Sequence, residues 1–293
     1  MLSRELMRIV RRIELRSARA VDTRLSGAYH SVFKGRGVAF SEVRKYQPGD
    51  DVAAIDWNVS ARMNELHIKQ FTEERDHTVL LLVDCSASSG FGSGARAKRE
   101  VAAEVAAILA LAAVKNNDRV GLVMLSDQIE YVLRPRKGRR HALRLVCDLL
   151  AHQPHSRGTD LRVGLDYVGQ ASRRRALVFV ISDFLASDWE RSLRVTRKRH
   201  DVVPVVVTDP MEEVFLDLGL VTVEDLETGQ LLEFDSSGPE ARRYARRVAE
   251  MRAERARTFK RCGVDTIDIV TDRPYQQALV GFFRERERRM RRR

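Results

Sequence analysis

The sequence predicts an α/β protein, a three-layer sandwich in which helices cover both faces of a mostly parallel, wound sheet. The first observation is a set of continuous apolar runs, such as TVLLLVD at 78–84 and ALVFVIS at 176–182. Runs of this kind are typical of strands that are buried on both faces. The second observation is that the runs alternate with longer segments of helical periodicity, which indicates strand–helix–strand units and therefore parallel strands.

The first 75 residues lack this rhythm and are predicted to form an N-terminal extension. Apolar residues recur at helical spacing among arginines, at Leu2, Leu6, Ile9 and Ile13. This stripe predicts a basic amphipathic helix, which would either dock on its own domain or lie on a membrane surface. Residues 33–75 mix glycines, short apolar steps and turn signals, so we expect an irregular lead-in that contains strands.

From residue 78 onward the predicted elements alternate regularly. The predicted strands are 78–84, 119–125, 129–134, 176–182, 201–208 and 264–270. The predicted helices are 95–115, 139–152, 160–172, 188–199, 241–261 and 275–286. Two short apolar runs on either side of Thr228-Gly229 predict an inserted β-hairpin near 211–236. The wound domain is therefore expected to span 76–286, followed by a basic tail at 287–293.

Composition narrows the class of protein. The chain has 293 residues, and its formal net charge of +11 is concentrated after Pro239. A basic end is typical of proteins with an anionic partner, or of a solvated helix face. The start has no uninterrupted apolar stretch, and the three cysteines are widely spaced. Neither a secretory signal nor a disulfide framework is indicated, so we expect a cytoplasmic protein.

Oxygen-bearing side chains follow two of the predicted strands and precede one helix. Asp84, Ser86 and Ser88 follow the first buried strand, Asp183 follows the strand at 176–182, and Thr159 stands in a Gly-Thr loop. In wound sheets, ligands bind outside the carboxyl ends of the strands. Carboxylates and hydroxyls without histidine or cysteine favour a hard divalent cation. Since hydroxyls bring no charge, such a cation would attract an acidic side chain from a partner protein.

This pattern resembles the metal-ion-dependent adhesion site of von Willebrand factor A domains. The stretch GRGVAFSEVRKYQPGDDVAAIDWNVSAR at 35–62, the DCSAS loop and the later DLETG segment together resemble the bacterial family called domain of unknown function 58. The resemblance implies a von Willebrand factor A-like fold. It also implies a site for a divalent cation, Mg²⁺ first and Mn²⁺ or Ca²⁺ as alternatives. The residues that match the five positions of this site are Asp84, Ser86, Ser88, Thr159 and Asp183.

The resemblance further implies a protein-binding role. Members of the family are often linked to MoxR-type AAA+ ATPases, which implies a chaperone-like function in the assembly or maturation of a client protein. No catalytic residues are expected on this interpretation. The sequence does not predict the client or the oligomeric state.

Three alternatives remain open at this point. Asp84 and Ser86 could simply cap a following helix. A magnesium-dependent phosphatase would use Asp84 as nucleophile and Asp183 for the metal, although Ser86 stands where a second acid is needed. A peripheral binder of lipid or nucleic acid would act through the basic ends, although specific nucleic-acid recognition lacks its usual motifs.

Overall fold

The computed structural model describes most of the chain: Tyr29 and residues 38–73, 77–94, 96–172, 174–212 and 217–291. The predicted amphipathic helix at Leu2–Ile13 lies outside the described residues. By its contacts the chain divides into two compact units, one of Phe33–Asp76 and one of Met1–Val32 with His77–Arg293.

The small unit contains an antiparallel pair of strands and one short helix. β1 (Val38–Lys45) pairs with β2 (His67–Glu73), and the pairing has an irregularity between Phe40 and Glu42. Asp56 caps helix α1 (Trp57–Met63) at its N-terminus, and its side chain accepts hydrogen bonds from the backbone of Asn58 and Val59. A carboxylate at this position satisfies amide groups that the first helical turn leaves unpaired. The expectation of a strand-containing lead-in therefore agrees with the described part of this unit.

The large unit contains a six-stranded sheet and a separate hairpin. In chain order its strands are β3 (Thr78–Asp84), β4 (Arg119–Leu125), β5 (Ile129–Arg136), β6 (Leu177–Ser182), β7 (Asp201–Thr208), β8 (Leu220–Glu224), β9 (Leu231–Asp235) and β10 (Ile267–Val270). The sheet order is β10-β7-β6-β3-β4-β5. Only β5 is antiparallel to its neighbour. The antiparallel pair β8–β9 forms the predicted hairpin outside the sheet.

Helices cover both faces of the sheet. They are α2 (Lys98–Lys115), α3 (Arg139–Ala151), α4 (Leu161–Ala171), α5 (Trp189–Arg199), α6 (Pro239–Cys262) and α7 (Tyr275–Arg291). One apolar core joins Leu80 and Val178 of the sheet to residues of α4, α5 and α6. Successive residues of a strand point to opposite faces, and Phe179 packs instead against Phe283 of α7. The predicted three-layer architecture with a mostly parallel sheet is confirmed.

The direction in which strands are added to the sheet reverses beside β3. From β3 the chain builds β4 and β5 on one side, and β6, β7 and β10 on the other. The loops after β3 and β6 therefore leave neighbouring strands toward opposite faces. A reversal of this kind is the usual place for a ligand in an open α/β sheet.

The chain end differs from its predicted form. Helix α7 continues through Arg291, whereas the sequence suggested a helix to 286 and then a basic tail. Arg289 pairs with Glu285, and Arg291 pairs with Glu287, each one helical turn away. Such pairs stabilise a helix and offset the repulsion among its arginines. Within the described ranges, the helices include none that is both long enough and apolar enough to cross a bilayer.

Candidate functional site

The loop after β3 is organised around the carboxylate of Asp84. Its Oδ1 accepts a hydrogen bond of 2.9 Å from the backbone N–H of Ser86, and its Oδ2 accepts one of 2.7 Å from the hydroxyl of Ser182. Asp84 is 5% exposed. Both oxygens are thus held in place, one by its own loop and one by the end of β6. This linkage fixes the two strand ends relative to each other.

The two serines of the loop connect Asp84 to Asp183 through a series of hydrogen bonds. Ser86 Oγ lies 3.2 Å from Ser88 Oγ, and the Ser88 hydroxyl donates to Asp183 Oδ2 at 3.1 Å. Neighbouring oxygens around one Mg²⁺ lie about 3 Å apart, because Mg–O distances are about 2.0–2.1 Å and the geometry is octahedral. The spacing of these three oxygens is compatible with one small hard cation.

Burial and a second carboxylate raise the pKa of Asp84. Burial raises its pKa most, the nearby Asp183 carboxylate adds to the increase, and the hydrogen bonds from Ser86 and Ser182 lower it, so that the pKa is about 6. Two carboxylates that share one buried site disfavour each other's ionised form. A positive charge placed between them would remove this conflict.

A positive charge is already present, on a residue that the sequence analysis did not identify. The Lys98 ammonium donates to Asp183 Oδ2 at 2.8 Å and also contacts the Glu212 carboxylate. Lys98 is 2% exposed. Burial alone would lower its pKa, but the carboxylates of Asp183 and Glu212 outweigh burial and raise it. Asp183 therefore has a fixed cationic partner supplied by the first turn of α2.

Thr159 has a different partner from the other four predicted residues. Its hydroxyl donates to Glu227 Oε1 at 2.9 Å, and Glu227 belongs to the connection between β8 and β9. The loop of Thr159 is joined to the β3 loop through its backbone, since the Ala87 N–H donates to the Arg157 carbonyl at 3.0 Å. Hydrogen bonds link Asp84, Ser86, Ser88 and Asp183 into one chain, and the hydroxyl of Thr159 reaches Glu227 instead.

The oxygen atoms of the site can serve as ligands of a hard cation only if the serine hydroxyls are among them. Within the part of the chain that the structure describes, no three His, Cys, Asp or Glu side chains form a metal cluster. The cavity beside Lys98 and Asp183 has a volume of about 10 Å³, at the lower limit for a single water. A cation would therefore have to bind beside the Ser86 and Ser88 hydroxyls and share Asp183 with the Lys98 ammonium.

Two features of the sequence could have indicated the missed residues. Lys98 begins a helix that is otherwise rich in alanine and apolar residues, and a cation at a helix N-terminus is unfavourable unless it has an acidic partner. Glu227 lies in the DLETG turn that carried part of the family resemblance. Neither feature identifies the partner, because Lys98 and Glu212 are 114 positions apart and Thr159 and Glu227 are 68 positions apart.

Comparisons with known proteins place the chain in a family. The family model described as "Protein of unknown function DUF58" matches residues 42–254. An uncharacterized protein of Mycobacterium tuberculosis is 34% identical over 283 residues, which cover 95% of this chain and 89% of that protein. The uncharacterized protein YeaD of Bacillus subtilis is 29% identical over 148 residues, or 50% of this chain and 35% of that protein.

Solved structures give more distant similarities. The conserved hypothetical protein BatB from Bacteroides thetaiotaomicron has a TM-score of 0.49 at 14% identity, over 72% of this chain and 99% of that one. A von Willebrand factor type A protein from Catenulispora acidiphila has a TM-score of 0.42 at 12% identity, over 75% of this chain and 44% of that one. Family membership rests on the sequence matches: the chain belongs to the family described as protein of unknown function DUF58.

Proposed function

We propose that this chain is a protein-interaction module that binds an acidic side chain of a partner at the carboxyl edge of its sheet. One observation carries the proposal: the Thr159 hydroxyl already donates to a carboxylate, that of Glu227, at 2.9 Å. This carboxylate comes from the chain's own hairpin. An aspartate or glutamate of a partner would take the place of Glu227.

A divalent cation, Mg²⁺ first, is part of this proposal. Asp84, Ser86, Ser88 and Asp183 would hold it, with Thr159 as the fifth predicted ligand. The oxygen spacings of 3.2 Å and 3.1 Å along the serine hydroxyls support this assignment. When bound, the cation would supply a Lewis acid for an incoming carboxylate. The Lys98 ammonium would compete for Asp183, so we expect weak rather than tight binding of the cation.

We further propose a MoxR-type AAA+ ATPase as the partner, in a chaperone-like function on client assembly in the cytoplasm. The support for the ATPase is the resemblance of the sequence to a family linked to such enzymes. The support for the compartment is that Cys85, Cys147 and Cys262 are all free thiols, as is usual in a reducing environment.

The site is proposed to be non-enzymatic. A phosphatase of the aspartyl-phosphate type needs a nucleophilic carboxylate that can approach the substrate. Both oxygens of Asp84 accept hydrogen bonds, at 2.9 Å and 2.7 Å, and the residue is 5% exposed. Ser86 occupies the position of the required general acid, and its side chain cannot act as one near neutral pH.

Binding to the MoxR-type ATPase of the same genome tests the proposal. Isothermal titration calorimetry with Mg²⁺ should detect binding that EDTA weakens. The double substitution Ser86→Ala with Ser88→Ala should abolish binding, and Thr159→Ala should weaken it. Glu227→Gln should strengthen it, because the internal carboxylate no longer competes. Ser187→Ala, at an exposed serine before α5, is the control and should bind normally.

Two results would overturn the proposal. Binding that survives the double serine substitution, in a protein that melts normally, would show that the site is not used. Hydrolysis of a generic phosphate ester that depends on Mg²⁺ and is lost in Asp84→Asn would favour the phosphatase instead.

A further inference from the structure

A basic cleft lies at the opposite edge of the sheet from the site described above. It has a volume of about 570 Å³ and lies between the ends of α5 and α6, the outer part of α7 and the amino ends of β6 and β7. Five cationic side chains line it: Arg175, Arg197, Lys260, Arg286 and Arg289. The carboxylates that line it are those of Asp201 and Asp265. The cleft therefore carries an excess of positive charge.

Three of the cations have structural partners. Arg197 donates to the Gly263 carbonyl at 2.8 Å and so satisfies the end of α6. Arg289 pairs with Asp265 at 2.6 Å, and Arg286 pairs with Asp201. Cations near helix ends often have such structural roles. These contacts account for both carboxylates of the cleft.

The other two cationic side chains of the cleft have no such structural role. Among the described residues, the side chains of Arg175 and Lys260 have no hydrogen-bonding or ion-pair partner. Both are exposed and both line the cleft. Like charges that face one cavity without partners repel each other, and an anion in the cavity would remove that repulsion.

One ring nitrogen of a buried histidine in the wall of the cleft also lacks a partner within the described residues. His200 is 1% exposed, and the Ala176 N–H donates to its Nδ1 at 3.2 Å. Because Nδ1 accepts this hydrogen bond, the neutral ring carries its proton on Nε2. Burial, and then Arg199 and Arg175, lower the pKa of His200 and keep the ring neutral. Its Nε2 is buried and has no partner within the described part of the chain.

We propose that this cleft binds a small, multiply charged phosphate-bearing anion. Arg175 and Lys260 would contact the phosphoryl oxygens, and the buried Nε2–H of His200 would donate to one of them once the side chains that cover the ring shift aside. A phosphoryl group suits these donors because it presents several acceptor oxygens at once and pairs strongly with guanidinium and ammonium groups.

Titration of the full chain with inorganic tripolyphosphate tests the proposal. Calorimetry at low ionic strength should show saturable binding to one site. The double substitution Arg175→Gln with Lys260→Gln should weaken it by about tenfold or more, the usual effect of losing two charge-assisted hydrogen bonds. The matched control, Arg243→Gln with Arg247→Gln, removes the same charge from the exposed face of α6 and should change the affinity less than about threefold. Equal loss in both variants, or no binding by the unmodified chain, would overturn the proposal.

His200 provides an independent measurement. His200→Asn keeps an acceptor for the Ala176 N–H but removes the second ring nitrogen, so it should weaken binding of tripolyphosphate while the protein stays folded by circular dichroism. In ¹⁵N spectra of the unmodified chain, the Nε2 resonance of His200 should shift on saturation with the anion. An unshifted resonance at saturation would exclude His200 from the site.

Two further binding experiments identify the source of the phosphate. Competition between tripolyphosphate and vesicles that contain a phosphorylated inositol lipid, with neutral vesicles as control, would assign the site to a lipid headgroup. Tripolyphosphate binding that such vesicles leave unchanged would assign it to a soluble ligand. A small-anion site would be contradicted if single-stranded oligonucleotides bound more tightly than tripolyphosphate and if the cleft pair and the control pair of substitutions weakened that binding equally.

Discussion

At the scale of the residue, Lys98 determines the electrostatics of the candidate site. Its ammonium is buried between Asp183 and Glu212 and joins the end of β6 to the turn that follows β7. A buried ammonium is costly unless carboxylates offset the lost hydration. Any cation at the site must share Asp183 with this ammonium.

Replacing Lys98 with methionine should destabilise the protein. Asp183 and Glu212 would lose their buried partner, and the free energy of unfolding should fall by about 3–5 kcal/mol, the usual cost of breaking a buried ion pair from one side. Urea denaturation at pH 7 in EDTA measures the loss. Lys198→Met, at an exposed position of α5, should change stability by less than about 0.5 kcal/mol. If a cation binds beside Asp183, Mg²⁺ should restore more stability in Lys98→Met than in the unmodified protein.

Glu130 holds the loop that leads to Thr159. Its carboxylate accepts hydrogen bonds from the Ser126 hydroxyl at 2.7 Å, from the His155 ring at 2.6 Å and from the backbone N–H of Ser156 at 3.2 Å. Burial alone would raise its pKa, but these hydrogen bonds, with that of the His155 backbone, lower the pKa from 4.5 to about 2. The ionised form is therefore the one that the fold stabilises.

Glu130→Gln should be less stable than the unmodified protein in a pH-dependent manner. Because the folded pKa lies below the unfolded value, the stabilisation is complete above about pH 4.5 and is lost as the pH falls toward 2. We expect a difference of about 1–3 kcal/mol at pH 7 that becomes smaller at pH 3. Urea denaturation of both proteins across this range measures it. A difference that stays constant with pH would mean that packing, not ionisation, explains the loss.

Among the elements, the β8–β9 hairpin contacts the Thr159 loop through its turn and α6 through Phe234, whose ring centroid lies 6.4 Å from that of Tyr244. Leu220, Leu231 and Leu232 are 75%, 68% and 57% exposed. In the turn, Asp225 accepts hydrogen bonds from the backbone of Glu227 and Thr228, and Gly229 adopts a φ of +73°. This conformation, which favours glycine, presents Glu227 to Thr159.

Gly229→Ala should loosen the contact between the hairpin and the Thr159 loop. A Cβ at Gly229 would lie 3.3 Å from the Arg157 guanidinium, in addition to the strain of a positive φ. Hydrogen exchange of residues 220–235 should become faster, with little change in melting temperature because the hairpin buries few side chains. Gly219→Ala is the matched control, since its φ is +74° and a Cβ would meet no atom within 4 Å. Equal rates of hydrogen exchange in Gly229→Ala and Gly219→Ala would contradict a role for the Arg157 contact.

At the scale of the whole molecule, the excess of positive charge opposes folding. The chain has 52 lysines and arginines against 41 acidic residues. Self-repulsion of this kind destabilises the compact state and is screened by salt, with a Debye length of about 10 Å at 0.1 M. Much of this excess lies on α6 and α7.

Added potassium chloride should therefore raise the melting temperature. We expect the increase in melting temperature mainly below about 0.2 M. Above that concentration the Debye length is already shorter than about 8 Å, so further screening matters little. Differential scanning calorimetry measures it. Chloride rather than phosphate keeps this effect separate from occupation of the cleft. The double substitution Arg243→Gln with Arg247→Gln removes two positive charges and should reduce the dependence on salt. A melting temperature that falls with chloride would mean that surface ion pairs dominate.

The architecture, and the edge of the sheet at which the candidate site lies, follow from the pattern of apolar and polar residues along the chain. Strands buried on both faces must be continuous apolar runs, and runs that alternate with helical segments must form parallel strands. Asp84 and Asp183 follow two such runs, so their proximity follows from the rule that parallel strands end at the same edge. The predicted hairpin near 211–236 likewise followed from local turn signals and is present as β8 and β9.

Which charged and polar side chains contact each other depends on the packing of the folded chain. Lys98 pairs with Glu212, Thr159 with Glu227, and His200 lies with Arg175 and Lys260 in one cleft. These residues are distant in sequence and lie in helix ends and turns, where periodicity carries no information about contacts. Hydrophobic patterning is local because each strand or helix buries its own apolar face. The pairing of isolated charges is not local, because it depends on how several elements pack around one point.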